Sequence, residues 1–139
     1  MADVTIIDNS EEVLDAMTAA VLASLEAVGQ QAVSHAKQNI TEAGRVDTGA
    51  LRNSVSHQVE MGENAVYIGT NQDYAIYHEL GTGIYLEGGG GRQSPWSYKD
   101  ANGNWHRTRG IRPIHFLKNA VANYADEYKQ IIEQTMKGK

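Results

Sequence analysis

Apolar side chains recur at Leu14, Met17, Val21, Leu25, Val28, Ala32, Ala36 and Ile40, always three or four residues apart. That spacing places them on one face of an α-helix and predicts a helix over residues 10–43. Ser10, after Asp8 and Asn9, is placed to cap the first amides. Glu11 and Glu12 suit the positive end of the helix dipole, and Gly44 is placed to stop the helix. Gly29 weakens the middle and permits a bend. Val13, Leu22 and Val33 widen the apolar face, so the helix is expected to pack on more than one surface. Its length suits an element of assembly.

The period then changes. Asp47-Thr48-Gly49-Ala50-Leu51-Arg52 predicts a capped short turn of helix. Val55, His57, Val59 and Met61 alternate with Ser54, Ser56, Gln58 and Glu60, the period of two of a half-buried strand over 54–61. A turn at 62–64 and a strand over 65–70 complete a hairpin. Asp73 is expected to cap a short helix over 74–80 that Gly81 ends. Ala75, Ile76 and Leu80 are expected to pack that helix. Residues 83–91 are glycine-rich, and the tetraglycine 88–91 predicts a flexible hinge. Trp96 and Tyr98 alternate with polar residues, Asn102-Gly103 signals a tight turn, and Trp105, Arg107 and Arg109 follow. This predicts a second, projecting hairpin. Pro113 and His115 lead into a final helix over 116–136, with Leu117, Val121, Tyr124, Tyr128, Ile131 and Thr135 as its stripe.

Composition narrows the class. The 139 residues suit one domain, 41% are hydrophobic, and there is no cysteine. Disulfides, thiolate metal sites and a cysteine nucleophile are excluded. No apolar run reaches the ~18–20 residues that span a bilayer, and the acidic start does not resemble a signal peptide. A soluble protein made in the cytoplasm is expected. The net charge is −5. Residues 88–118 hold six basic side chains against one acidic, a net +5, leaving six against sixteen, a net −10, elsewhere. A basic arm on an acidic body suits nucleic acid or the acidic body of a neighbouring copy.

Two stretches invite catalytic readings and fail them. His78-Glu79 opens like a zinc-protease helix, but Thr82 stands where the second histidine belongs. His35, His57, His106 and His115 form no short ligand pattern with one another. Neither 81–83 nor 88–91 has the lysine, strand or helix that a phosphate or dinucleotide loop needs. No Ser/His/Asp arrangement follows from spacing. The expectation is a protein that is not an enzyme, with no catalytic, cofactor or metal residues, and with His78 and Glu79 as surface or interface groups. Trp96, Tyr98, Trp105, Arg107, Arg109 and Arg112 are the candidate interface, since exposed aromatics and arginines mark protein contacts. The alternative is a nucleic-acid-binding module using the basic aromatic hairpin 92–112, by stacking plus charge.

Four segments in order carry a resemblance: VDTGALRNSV (46–55), VYIGTNQDYAIYHELGTG (66–83), PWSYKDANGNWHRTRG (95–110) and RPIHFLKNAV (112–121). Together they resemble the tail-completion or neck proteins of long-tailed bacteriophages, the minor tail component family typified by the tenth gene product of phage HK-ninety-seven. The resemblance covers about residues 10–135. Its one departure is a missing second proline before Phe116-Leu117. It implies an α+β fold, a small antiparallel sheet flanked by long N-terminal and C-terminal helices, with the hairpin as a projecting arm. It also implies a non-enzymatic virion protein of the head–tail junction, assembled as a homo-oligomeric ring for which six copies are expected. Its partners would be tail-tube, tail-terminator or head-closure proteins, or the DNA of the channel, and no membrane. Residues 74–83 would then be a structural turn of helix.

Overall fold

A computed structural model describes residues 10–44, 49–99 and 102–137. Helix α1 runs Ser10–Glu42, and beyond it Gly44 donates its amide to the Thr41 carbonyl, as expected of a helix stop. Ser10, expected to cap α1, is its first residue, while Asp8 and Asn9 before it, and Asp47 and Thr48 before the short helix that follows, lie outside the described residues. A short helix α2 (Ala50–Ser54) leads into strand β1 (Ser56–Glu60), which pairs antiparallel with β2 (Ala65–Gly69), His57 facing Ile68 and Val59 facing Val66. Helix α3 (Ala75–Leu80) follows, then a 3-10 turn over Gly83–Tyr85. Strands β3 (Trp96–Lys99) and β4 (Trp105–Thr108) form a second antiparallel hairpin. Helices α4 (Phe116–Ala122) and α5 (Ala125–Lys137) end the described chain. The fold is α+β, with long terminal helical segments beside a small antiparallel sheet.

The apolar stripe of α1 does not serve one purpose along its length. Ala36 and Ile40 join Leu51, Val55, Ala75, Phe116 and Ala120 in one core cluster, while Val28 and Ala32 meet Tyr128 in another. Phe116 and Ile40 are wholly buried, each contributing roughly 1.5–3 kcal/mol over the exposed side chain. Two partly buried polar pairs fix the layers. Glu26 Oε2 lies 2.7 Å from His57 Nε2, tying α1 to β1. His35 stacks flat on Tyr124 at 3.5 Å, with its Nε2 3.0 Å from Glu127 Oε2, tying α1 to α5. Gly29 lies under the sheet. A Cβ there would stand 2.5 Å from His57 Cδ2 and 2.9 Å from Val66 Cγ2. Its role is close approach of helix and hairpin, which the expectation of a weak point did not anticipate.

Three expectations change. The final helix is two helices, because the break at Asn123-Tyr124 lets Tyr124 lie flat on His35. The Ala120 carbonyl, at that break, accepts the Tyr128 hydroxyl. The inward stripe accordingly begins Phe116 and Ala120, and Val121 is 52% exposed. Second, Asp73 does not cap α3: the residue at its start is Tyr74, with no side-chain cap, and the Ala75 amide closes a turn onto the Gln72 carbonyl. Ala75 does pack α3 into the core, but Ile76 is exposed. Third, Lys99 faces Trp105, so β3 and β4 are joined by the five residues 100–104 and not by a two-residue turn at Asn102-Gly103.

Candidate assembly interface

The second hairpin is clamped at its base. The Thr82 amide donates to the Ile111 carbonyl and the Ile84 amide to the Arg109 carbonyl, each at 3.0 Å, while the Ile111 amide donates to Thr82 Oγ1 at 3.0 Å. These bonds bring backbones so close that a Cβ on Gly83 would lie 1.9 Å from the Arg109 carbonyl oxygen, and one on Gly110 2.0 Å from that of Thr82. Only glycine fits at either position. The glycine-rich segment is therefore not uniformly loose. Gly91 packs on the Gly83 carbonyl, whereas Gly88, Gly89 and Gly90 stand in open space.

Strand alternation divides the expected interface residues between two faces. Trp96 faces Thr108 across the ladder and Tyr98 faces His106, with the Tyr98 and His106 rings stacked at 5.3 Å. Trp105 and Arg107 point to the opposite face, opposite Lys99 and Ser97. Trp105 is 69% exposed and Tyr98 46%. Cations already lie on the aromatic faces, Arg92 5.5 Å from the centre of Trp96 and Lys99 6.0 Å from that of Trp105. Arg112 sits away from the hairpin, 4.7 Å over Tyr85. Arg107 and Arg109 are exposed and border a small hollow with Pro95.

The Trp96 face closes on α3 to form a cleft of about 920 Å³. Tyr74 and Tyr77 wall one side, Trp96 and Tyr98 the other, and Arg92 adds positive charge, while Lys99 lines the edge with its ammonium turned to Trp105 on the opposite face. No acidic side chain lines it among the described residues. The sequence reading missed Tyr74, Tyr77, Arg92 and Lys99. The signal was the three-residue spacing of the tyrosines, which puts both on one side of a helix.

Residues 74–83 are a structural turn with one unforeseen function. Glu79, expected as a surface or interface group, serves the chain itself: its Oε1 accepts the Leu117 amide at 2.7 Å and its Oε2 the Lys118 amide at 3.2 Å. It caps the start of α4, where helix amides lack internal partners. The His78 backbone carbonyl accepts the Ile114 amide at 2.9 Å. Gly81, at φ 82°, donates its amide to the Tyr77 carbonyl and ends α3. Among the described residues no group of three or more His, Asp or Glu side chains could hold a metal ion, and no helix is long and apolar enough to cross a membrane.

A second surface lies at the other end of the molecule. Val13, Leu14, Met17 and Leu22, placed by the sequence pattern on the packed face of α1, are 46%, 62%, 52% and 41% exposed. The partners of α1 begin near Ala20, so its first turns stand clear of the core.

A mixed helix and strand domain with such unpartnered surfaces suits a component of a larger assembly, and the family comparison agrees. A family model described as "Bacteriophage HK97-gp10, putative tail-component" matches residues 5–81, more than half of the chain. The chain belongs to this HK97-gp10-like family of phage tail components. The match takes in α1 through α3; the second hairpin, α4 and α5 follow it. Comparison with curated proteins and with solved structures finds no match.

Proposed function

We propose that the protein is a non-enzymatic structural component of the virion at the head–tail junction or tail end. It assembles there as a homo-oligomeric ring, six copies being the expected number, and completes or joins the tail. In this reading residues 1–139 act as one domain and 84–110 as its arm. Neighbouring tail-tube, tail-terminator or head-closure proteins are the other partners. Membership of a tail-component family supports the tail assignment. The observation that carries the assembly reading is the hairpin, fixed on a clamped base with Trp105 and Tyr98 exposed. Trp96, Tyr98 and Trp105 are residue types that anchor interfaces, and Arg107, Arg109 and Arg112 supply charge opposite to the body. A phage carrying this gene with an early stop codon tests it. The expected products are filled heads and separate tails, restored to infectious particles by the intact gene supplied in trans. Normal yields of joined particles without the protein would refute the assignment.

A nucleic-acid-binding role is the second reading, favoured by the face that carries Lys99, Trp105 and Arg107 together. Binding of fluorescent single-stranded DNA that falls steeply with salt, and is lost in Trp105→Ala with Arg107→Ala, would select it.

A further inference from the structure

The exposed start of α1 and the cleft beside α3 are complementary, and one chain cannot bring its own two together. The α1 surface is apolar at Val13, Leu14 and Met17 and carries the exposed acids Glu11, Glu12 and Asp15. The cleft is aromatic, carries the Arg92 cation over Trp96 and has no acidic side chain in its lining among the described residues. They lie at opposite ends of α1. Asn39 Nδ2 donates to the Phe116 carbonyl at 3.2 Å, and Glu79 of α3 holds the next two amides of α4. The cleft therefore belongs with the C-terminal end of α1. From Leu14 to Asn39 a helix rising 1.5 Å per residue covers roughly 37 Å.

We propose that residues 11–17 of one copy dock in the cleft of the next. Leu14 and Met17 lie against Tyr77, Trp96 and Tyr98, and Glu11, Glu12 and Asp15 face Arg92. Methionine and leucine on aromatic walls bury apolar area with soft, adaptable contacts. The opposite charges fix which end meets which. A contact between two different surfaces of identical chains is head-to-tail. Repeated, it closes into a ring when the rotation between copies divides the circle. The inference rests on the ring reading above and supplies its contact.

The chain has no cysteine, so introduced thiols report cleanly. The variant with Leu14→Cys and Tyr77→Cys together, oxidised under native conditions, should give a ladder of disulfide-linked chains ending at the ring number. A mixture of the two single variants should stop at dimers, and each single variant alone should stay monomeric on a denaturing gel. Both positions are exposed, so the substitutions leave the core intact. Charge reversal gives an independent arm. Glu11→Lys, Glu12→Lys and Asp15→Lys in one chain, or Arg92→Glu, should each weaken self-association about tenfold or more, and mixing the two variants should restore it. Rings of normal mass with neither ladder nor charge rescue would overturn this contact and leave the ring standing. Linked dimers from Leu14→Cys alone would overturn it in favour of symmetric pairing of α1 ends. A parent chain that stays monomeric at every concentration would overturn the ring reading and this inference with it.

Discussion

Replacing Gly29 by alanine sets two effects of known sign against each other. Alanine is the better helix former by about 1 kcal/mol, so in an exposed helix the change stabilises. Here the added methyl would lie 2.5 Å from His57 Cδ2, 2.7 Å from His57 Cγ and 2.9 Å from Val66 Cγ2. The ring cannot simply swing aside, because its Nε2 is paired with Glu26 Oε2 at 2.7 Å and its strand is paired with β2. Overpacking of this kind costs about 1–3 kcal/mol, and loosening the His57–Glu26 pair adds about 1 kcal/mol. The clash wins, for a net loss of about 1–3 kcal/mol and a melting temperature lower by roughly 3–10 °C for a chain of this size. Urea and thermal unfolding followed by far-ultraviolet circular dichroism, at one fixed protein concentration, measure it. In a His57→Ala background the same substitution should cost clearly less, because Val66 Cγ2 at 2.9 Å is the crowded contact that remains, which separates crowding from an unrelated loss. Gly62→Ala, where the added methyl meets nothing within 4 Å, should stay within about 0.5 kcal/mol of the parent. A Gly29→Ala protein as stable as the parent would refute the claim that helix and hairpin meet through this residue.

Other side chains give equally direct tests. Glu79→Ala strips two amides of α4 of their acceptor and should cost about 1–2 kcal/mol in urea unfolding, with no bound zinc to lose by metal analysis. Burial pushes the Tyr128 hydroxyl up to about 12 from its ordinary 10. The folded chain therefore holds a proton that the unfolded chain releases, and stability from this group, full below pH 10, is lost between pH 10 and 12. Tyr128→Phe should lower stability at pH 8 and flatten that alkaline decline relative to the parent. Leu25→Ala, in the buried part of α1, should cost about 2–5 kcal/mol, whereas Leu14→Ala should leave the monomer within about 0.5 kcal/mol and weaken self-association measured by light scattering.

Much of the architecture was legible because it is local. The three-and-four spacing from Val21 to Ile40 and the alternation from Val55 to Met61 each follow from one element's own period, and both elements are present. What was not legible depends on partners far along the chain. Glu79 acts on amides 38 and 39 residues away, and no pattern around it announces a cap. The break before α5 turns on Tyr124 finding His35 and on Tyr128 finding Ala120, neither visible in a stripe that reads as continuous. The stripe on α1 gives no sign of where its partners stop, so Leu14 and Met17 read as core although nothing among the described residues covers them fully. For the arm, the parity of Trp96 and Tyr98 was readable, but the face of Trp105 depends on a five-residue connection that Asn102-Gly103 disguised.

We propose a tail component whose copies close into a ring. The most direct measurement is the mass of the purified full chain by multi-angle light scattering across concentration, with electron-microscope class averages of the same fractions. The expected result is one discrete species, an integer multiple of 15.2 kDa, seen as a closed ring. Added salt should weaken assembly, since exposed charges guide the proposed contact. A monomer at every concentration, or an open series of lengths without closure, would contradict it.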